Sequence, residues 1–337
     1  MTLPSLTLEL RTSPHISAGH SVDVIMRNVV YALLPVAAFA VYSFGLAALL
    51  TLLVATLACV GTEHLLCRAA GRPSTVRDWS VTITGLLYGL TLPPSLPLWM
   101  VACGGIIGVA LGKSLFGGLG YNAFNPALVG RAFLQAAFPV AMTSWSPAFQ
   151  PGRFTSLPGS TQALPFTAPV YDASSAATPL SKFKLDGEPT PAADLLLGLT
   201  TGSAGETCAL LILAGGIYLA ARRMLNWRIP VAILGTVALA SLLLHWLDPL
   251  AYPSAAFMLG AGGLMLGAVF MATDMVASPI TAPGVILYGV LIGLLIVVIR
   301  IWGGMPEGVM YAILLANAVS PHIDRLVQPR VFGTGKP

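Results

Sequence analysis

The sequence predicts an all-α polytopic membrane protein: about ten transmembrane helices, some broken or short, in two inverted halves around a long outer loop. Three observations predict it. Of 337 residues 56% are apolar and the mean hydropathy is +0.82, beyond the roughly 45–50% apolar share of a soluble domain. Charged residues make up 9%, against about 25% in ordinary globular chains, too few to coat a water-soluble surface of this size. Apolar runs bounded by Gly, Pro or charge recur along the chain, most of them near the length needed to cross a hydrocarbon core of roughly 30 Å. The same hydropathy excludes a disordered chain, and 4 Cys spread over the whole length exclude a disulfide scaffold. A net charge of +4 does not imply a nucleic-acid partner, because the basic residues fall between apolar runs and read as topology signals in lipid.

The elements follow in order. Residues 1–23 are a polar cytoplasmic segment with no basic stretch feeding a small-residue cleavage site, so no removable signal peptide is expected. The first membrane half, 24–141, carries spans at 24–42, 46–66, 81–92, 98–111 and 124–140. Residues 142–206 are the long hydrophilic insertion, rich in Pro, Ser, Thr and Ala, and read as an extracytoplasmic loop or small cap. The second half, 207–320, carries spans at 207–221, 229–247, 255–272, 284–301 and 309–319, and residues 321–337 form a cytoplasmic tail.

The Lys and Arg beside the spans set the orientation. With both termini inside, the cytoplasmic segments hold Arg11, Arg27, Arg68, Arg72, Arg77, Lys113, Arg222, Arg223, Arg228, Arg325, Arg330 and Lys336. The other side keeps Arg131 and Arg300 at span ends and Arg153, Lys182 and Lys184 in the long loop, where the rule loses force. An internal echo supports a repeat: Pro97, Lys113 and Phe116-Gly117-Gly118 recur in order as Pro283, Arg300 and Trp302-Gly303-Gly304. Chance likeness between Gly-rich helices is the competing explanation.

Metal chemistry has little footing. Cys59, Cys67, Cys103 and Cys208 form no CxxC pair, and His15, His20, His64, His245 and His322 show no ligand spacing. No metal site made by this chain alone is expected, though one shared with another subunit stays open. Polar residues inside apolar runs say more, because lipid makes them costly unless paired or functional. Glu63 and His64 form either a proton-linked pair or an interfacial packing contact. Thr273 and Asp274 end a span at FMATDMVASP, where Ser and Pro predict a broken helix that suits an ion or ligand. The run GKSLFGGLGYNAFNPALVGR, Gly112 to Arg131, is dense in Gly, carries Asn122 and Asn125, and starts a helix at Pro126. It predicts a re-entrant loop that lines a cavity and binds a polar group or ion through backbone amides; it lacks the upstream Gly and strand of a phosphate loop. In the outer loop, Tyr171 to Leu180 reads as an accessible turn with a Ser or Thr helix cap.

Several stretches together resemble the D subunit of the Rnf electron-transport complex, a relative of the B subunit of the sodium-pumping NADH:quinone reductase. They are SPHISAGHSVDVIMRNVVYALLP near the N-terminus, GKSLFGGLGYNAFNPA, GSAGET at Gly202 to Thr207, FMATDMVASPIT at Phe270 to Thr281, and MPEGVMYAILLANAVSPHID at Met305 to Asp324. The resemblance implies FMN attached through its phosphate to the Thr of a motif like Asp-Gly-x-Ser/Thr-Gly-Ala-Thr. Asp172, Ser175, Ala177 and Thr178 fit it, with Thr178 as acceptor, whereas Ala173 and Ala176 replace glycines. Ser174 and Ser175 are fallback acceptors.

Further implications are a noncovalent riboflavin in the membrane part, a flavin transferase for maturation, and partner subunits including a second flavoprotein. The chain would then be one subunit of an ion-translocating oxidoreductase in a bacterial or archaeal cytoplasmic membrane, not catalytically complete alone, that passes electrons between reduced ferredoxin and NAD and moves Na+ or H+. Asn122, Asn125, Thr273, Asp274 and Asn317 are ion-path candidates near predicted helix breaks; the competing reading is that they cap helices and hold the repeat together. Two rival functions stand beside this one. A secondary transporter or channel without a redox cofactor shares the architecture but has no use for a flavin acceptor. The quinone-reducing sodium pump shares the redox chemistry, and the short N-terminus favours the Rnf type by resemblance alone.

Overall fold

A computed structural model describes residues 21–165, 167, 177–206, 208–249, 251–305 and 307–328. Among them the regular structure is entirely helical. The chain is a multi-pass membrane protein: α1 (Val22–Phe44), α2 (Leu46–Ala69), the stretch Leu98–Phe116 that contains α4 (Leu98–Gly112), α10 (Arg228–Leu247) and α13 (Ala282–Trp302) are each long and apolar enough to span a bilayer. Their outward faces are apolar as well. In α10, Ile229, Ile233, Val237 and Ser241 recur every fourth residue against the protein, while Val231, Leu239, Leu242 and Leu243 are exposed.

The other expected spans are shorter or interrupted. α3 (Ser80–Leu90) stops before Pro93-Pro94, and α5 (Pro126–Ala137) breaks at Phe138 before the one-turn α6 (Pro139–Met142). The expected span at 255–272 is three pieces: α11 (Ala255–Gly260), a break at Ala261–Gly263, then α12 (Leu264–Leu266) running into a π-helical turn, Gly267–Met271. Gly262, at φ +66°, makes this break possible. α9 (Ala209–Ala221) and α14 (Val309–Leu326, with Pro321 inside) complete the membrane part.

Packing follows the bilayer rule that helices meet through small residues, because lipid is as apolar as Leu. Gly104, Gly108 and Gly112 form one face of α4, and a Cβ on Gly108 would sit 2.8 Å from the Pro126 carbonyl oxygen of α5. The neighbour order also repeats between halves: α2 packs on α3 and α4, and α4 on α5; α10 packs on α11 and α13, and α13 on α14.

The long insertion contains α7 (Pro179–Asp186) and α8 (Ala192–Leu197). Its first part is bound to the α1–α2 turn. The Phe149 N–H donates to the Ser43 carbonyl (2.8 Å), the Leu46 N–H to the Arg153 carbonyl (2.9 Å), and Arg153 Nε to the Tyr42 carbonyl (2.9 Å).

Candidate functional site

Two cavities lie at opposite ends of α5. One, about 470 Å³, is lined by Thr178, Ser181, Arg131, Glu206 and Glu307 among apolar groups that include Leu128, Trp145, Leu266 and Met310. The other, about 120 Å³, is lined by Asn122, Asn125, Thr273 and Asp274 with Ser80, Lys113 and apolar side chains from α1, α3 and α9.

The smaller cavity gathers four of the five ion-path candidates. Positive φ at Gly117, Gly118 and Gly120 reverses the chain after α4. The return delivers Asn125 as N-cap of α5, its Oδ1 accepting from the Ala127 N–H at 3.0 Å ahead of Pro126. Asn125 Nδ2 donates to the Met271 carbonyl at 3.2 Å, and Asn122 Nδ2 donates to Asp274 Oδ2 at 3.1 Å. Asp274 Oδ1 accepts from the Val276 N–H (3.0 Å), and Thr273 Oγ1 donates back to the Val269 carbonyl (2.6 Å). Side-chain amides and a carboxylate therefore line this cavity, in place of the expected backbone amides. Asn317 stands behind it. In the amide orientation that satisfies its neighbours, its oxygen accepts from the Asn125 N–H (3.2 Å) and its nitrogen donates to Tyr288 Oη (2.7 Å) and the Ile313 carbonyl (3.3 Å).

Lys113 Nζ lies 2.6 Å from Glu63 Oε2 and 2.7 Å from Ser80 Oγ, with Thr75 Oγ1 also on Glu63. Of the two readings of Glu63 and His64, the proton-linked pair is not the one formed, since His64 is exposed and bonds Ser74. A correction concerns topology: Lys113, Arg131 and Arg300 are 3%, 8% and 5% exposed. They serve buried partners and carry no orientation signal.

The larger cavity holds the predicted acceptor. Thr178 is the N-cap of α7, as its sequence context anticipates, and Oγ1 accepts from the Ser181 N–H at 3.2 Å and lies 2.9 Å from Ser181 Oγ. Instead of lying on an open turn it is buried, facing the cavity. Asp172 and Ser175 lie outside the described residues. Opposite Thr178, Arg131 Nη2 lies 2.8 Å from Glu307 Oε2, and Arg131 Nη1 is 4.0 Å from Glu206 Oε1. Arg300 caps the broken helix: Nη1 donates to the Met258 carbonyl (2.6 Å) and Nη2 to that of Ala261 (2.7 Å). Those carbonyls would otherwise be orphaned in lipid. Lys184 closes the end of α13 in the same way, donating to the carbonyls of Arg300 (3.2 Å) and Gly303. Sequence reasoning named none of Arg131, Glu206, Glu307 or Arg300 as site residues; the available signal was charge at the ends of apolar runs.

The model of the NQR2, RnfD, RnfE family matches residues 9–333. The chain belongs to this family. A family relative from Clostridium ljungdahlii, named as the D subunit of a proton-translocating ferredoxin:NAD(+) oxidoreductase complex, is 40% identical over 335 residues, covering 96% of each chain. One from Acetobacterium woodii, named as the Na(+)-translocating counterpart, is 41% identical over 98% of this chain and 97% of its own. Another from Alcanivorax borkumensis, named as the D subunit of an ion-translocating oxidoreductase complex, is 38% identical over 97% of both. Within the family, overall likeness thus does not separate relatives named for H+ from those named for Na+.

Proposed function

We propose that this chain is the D-type membrane subunit of an Rnf-type complex that couples ferredoxin/NAD electron transfer to Na+ or H+ translocation, with FMN attached through its phosphate to Thr178. The observation that carries the site assignment is the address of the Thr178 hydroxyl: N-cap of α7, on the wall of a cavity of about 470 Å³. An ester phosphate there meets the positive end of a helix, together with Ser181 Oγ. The apolar surfaces of Leu128, Trp145, Leu266 and Met310 suit a planar ring system, and Arg131 supplies positive charge to the cavity wall. When bound, FMN supplies a carrier for electrons, whose potential the surrounding hydrogen bonds and charges set.

The chain's own residues do the rest. Thr178 and Ser181 hold the phosphate end, Arg131 and the two glutamates set the charge of the wall, and the cavity wall limits water. The smaller cavity, with Asp274, Asn122, Asn125 and Thr273, is the ion-path candidate, because oxygen and amide ligands around one carboxylate suit Na+ or a proton equally. The same reading includes a noncovalent riboflavin in the membrane part, a flavin transferase for maturation, and partner subunits, among them a second flavoprotein. It also places both termini in the cytoplasm and the Thr178 loop outside.

The test is mass analysis of the chain purified from its own membranes. An increase matching FMN minus water on the peptide containing Thr178, lost in Thr178→Ala, is the expected result. An unmodified peptide from a host with an active flavin transferase overturns the assignment and favours a transporter without a redox group.

A further inference from the structure

Four buried polar atoms around the larger cavity have no hydrogen-bond partner among the described residues: Glu206 Oε1, Glu307 Oε1, Ser203 Oγ and Arg131 Nε. Glu206 is 8% exposed, and it and Ser203, Arg131 and Glu307 all reach the cavity wall. Buried polar groups in native proteins are almost always satisfied, so such a cluster marks a missing ligand.

The charges identify the ligand. Glu206 and Glu307 converge on the same guanidinium, Arg131, at 4.0 and 2.8 Å. The groups facing them are Arg131 from α5, Arg300 from α13, Lys184 from α7 and the Tyr311 phenol from α14. Both Nη atoms of Arg300 are committed to the Met258 and Ala261 carbonyls, and Lys184 Nζ to those of Arg300 and Gly303. That leaves Arg131 as the cation directly paired with an acid, bonded to Glu307 at 2.8 Å and only 4.0 Å from Glu206. Two buried carboxylates compete for the Arg131 guanidinium, and Glu206, 4.0 Å from it, is the less stabilised as an anion. A metal cation would be repelled by Arg131 and Arg300. A proton is not: on one carboxyl it makes an O–H donor for an oxygen of the other. Burial and the Glu307 carboxyl push the Glu206 carboxyl above the usual carboxylate range, in agreement with the geometry.

We propose that Glu206 and Glu307 share a single proton in the resting protein, and that the pair takes up a second one when the group at Thr178 gains negative charge and releases it when that charge is lost. The second clause rests on the flavin attachment proposed above; the first does not. The step balances. As one electron arrives from the complex's electron-transfer chain, one proton from the adjoining water forms an O–H bond on the pair. When the electron leaves, that bond breaks and the proton returns.

Infrared difference spectroscopy on the purified complex tests both clauses. In the resting protein at neutral pH, a carboxylic C=O band that shifts in D2O and is missing in Glu206→Gln and in Glu307→Gln is expected. On reduction with dithionite that band grows in wild type together with the flavin signals, and the flavin midpoint potential falls with rising pH more steeply than in Glu206→Gln. Both variants replace an oxygen with an isosteric amide, and unchanged gel-filtration elution reports their folding. Bands identical in wild type and both folded variants overturn the shared proton. A flavin signal on Thr178 whose reduction leaves the carboxyl band and pH slope unaltered overturns the coupling while the attachment stands. A protein lacking flavin on Thr178 yet showing the resting band removes the attachment and the coupling, and leaves the shared proton in place.

Discussion

Asn125 Nδ2 donates to the Met271 carbonyl across 3.2 Å and so ties the first turn of α5 to the π-helical turn after α12. Asn125 lines the smaller cavity and Met271 the larger. One hydrogen bond therefore stands between the two, and residues from opposite halves of the sequence meet in it. A π-turn leaves carbonyls out of register with the α-helical ladder, and here a side-chain amide takes one of them.

Asn125 does two jobs, and substitution separates them. Asn125→Asp keeps the acceptor for the Ala127 N–H but loses the donor to Met271; Asn125→Ala loses both. Cap loss costs about 1 kcal/mol, and loss of the bond to the Met271 carbonyl, which keeps the Asp274 N–H at 3.4 Å, costs about 0.5–1.5 kcal/mol. Thermal unfolding in detergent should rank wild type above Asp above Ala, and equal destabilisation of the two variants would contradict the capping role.

The Lys113–Glu63 pair is buried, so removing one partner strands a charge. Lys113→Met alone should cost about 3–5 kcal/mol. Adding Glu63→Gln should recover part of that, with a coupling energy of about 0.5–3 kcal/mol. Additive losses in a double-mutant cycle would show that the two residues act separately.

Gly45 joins α1 to α2 at φ +70°, and a Cβ there would collide with the Arg153 carbonyl oxygen. Gly45→Ala should cost more than about 1 kcal/mol and release the insertion from the α1–α2 turn. Limited proteolysis of oriented vesicles should find faster cleavage near Arg153, with no change in segments remote from the turn.

Thr178 combines a helix cap with the proposed acceptor hydroxyl. Asn caps as well as Thr does but offers no hydroxyl for esterification. Thr178→Asn should leave stability within about 0.5 kcal/mol of wild type while in-gel flavin fluorescence disappears; Thr178→Ser should retain both.

Asp274 is the carboxylate of the smaller cavity. Asp274→Asn preserves size and an acceptor for the Val276 N–H but removes the charge. Ion uptake by vesicles carrying the complex should fall by about tenfold or more, the factor that 1.4 kcal/mol represents. Uptake at the wild-type rate would take Asp274 off the ion path.

Much of this was legible in the sequence, because the signals were local. Asn125 ahead of Pro126 reads as a cap, Thr178 ahead of Pro179 likewise, and the apolar runs of α1, α2, α10 and α13 give their own lengths. What escaped were partnerships set by tertiary packing. Glu63 meets Lys113 and Arg131 meets Glu307 across 50 and 176 residues of chain, and nothing in the neighbourhood of either cation distinguishes it from a charge at a membrane surface. The break at Ala261–Gly263 was equally hidden: its apolar residues continue the hydropathy of a full span, and only the Arg300 guanidinium waiting for the Met258 and Ala261 carbonyls makes the interruption tolerable.

The partition between the cavities also has an electrical consequence. Asn125 and Arg131 face different cavities on one helix, about 9 Å apart along its axis at 1.5 Å per residue. Were each cavity hydrated from its own side, the membrane voltage would drop mainly across this short insulator instead of the full hydrocarbon thickness of roughly 30 Å. A unit charge carried from Asp274 to the Arg131 side would then cross nearly the whole voltage, about 2.3 kcal/mol per 100 mV, in a displacement shorter than two helical turns.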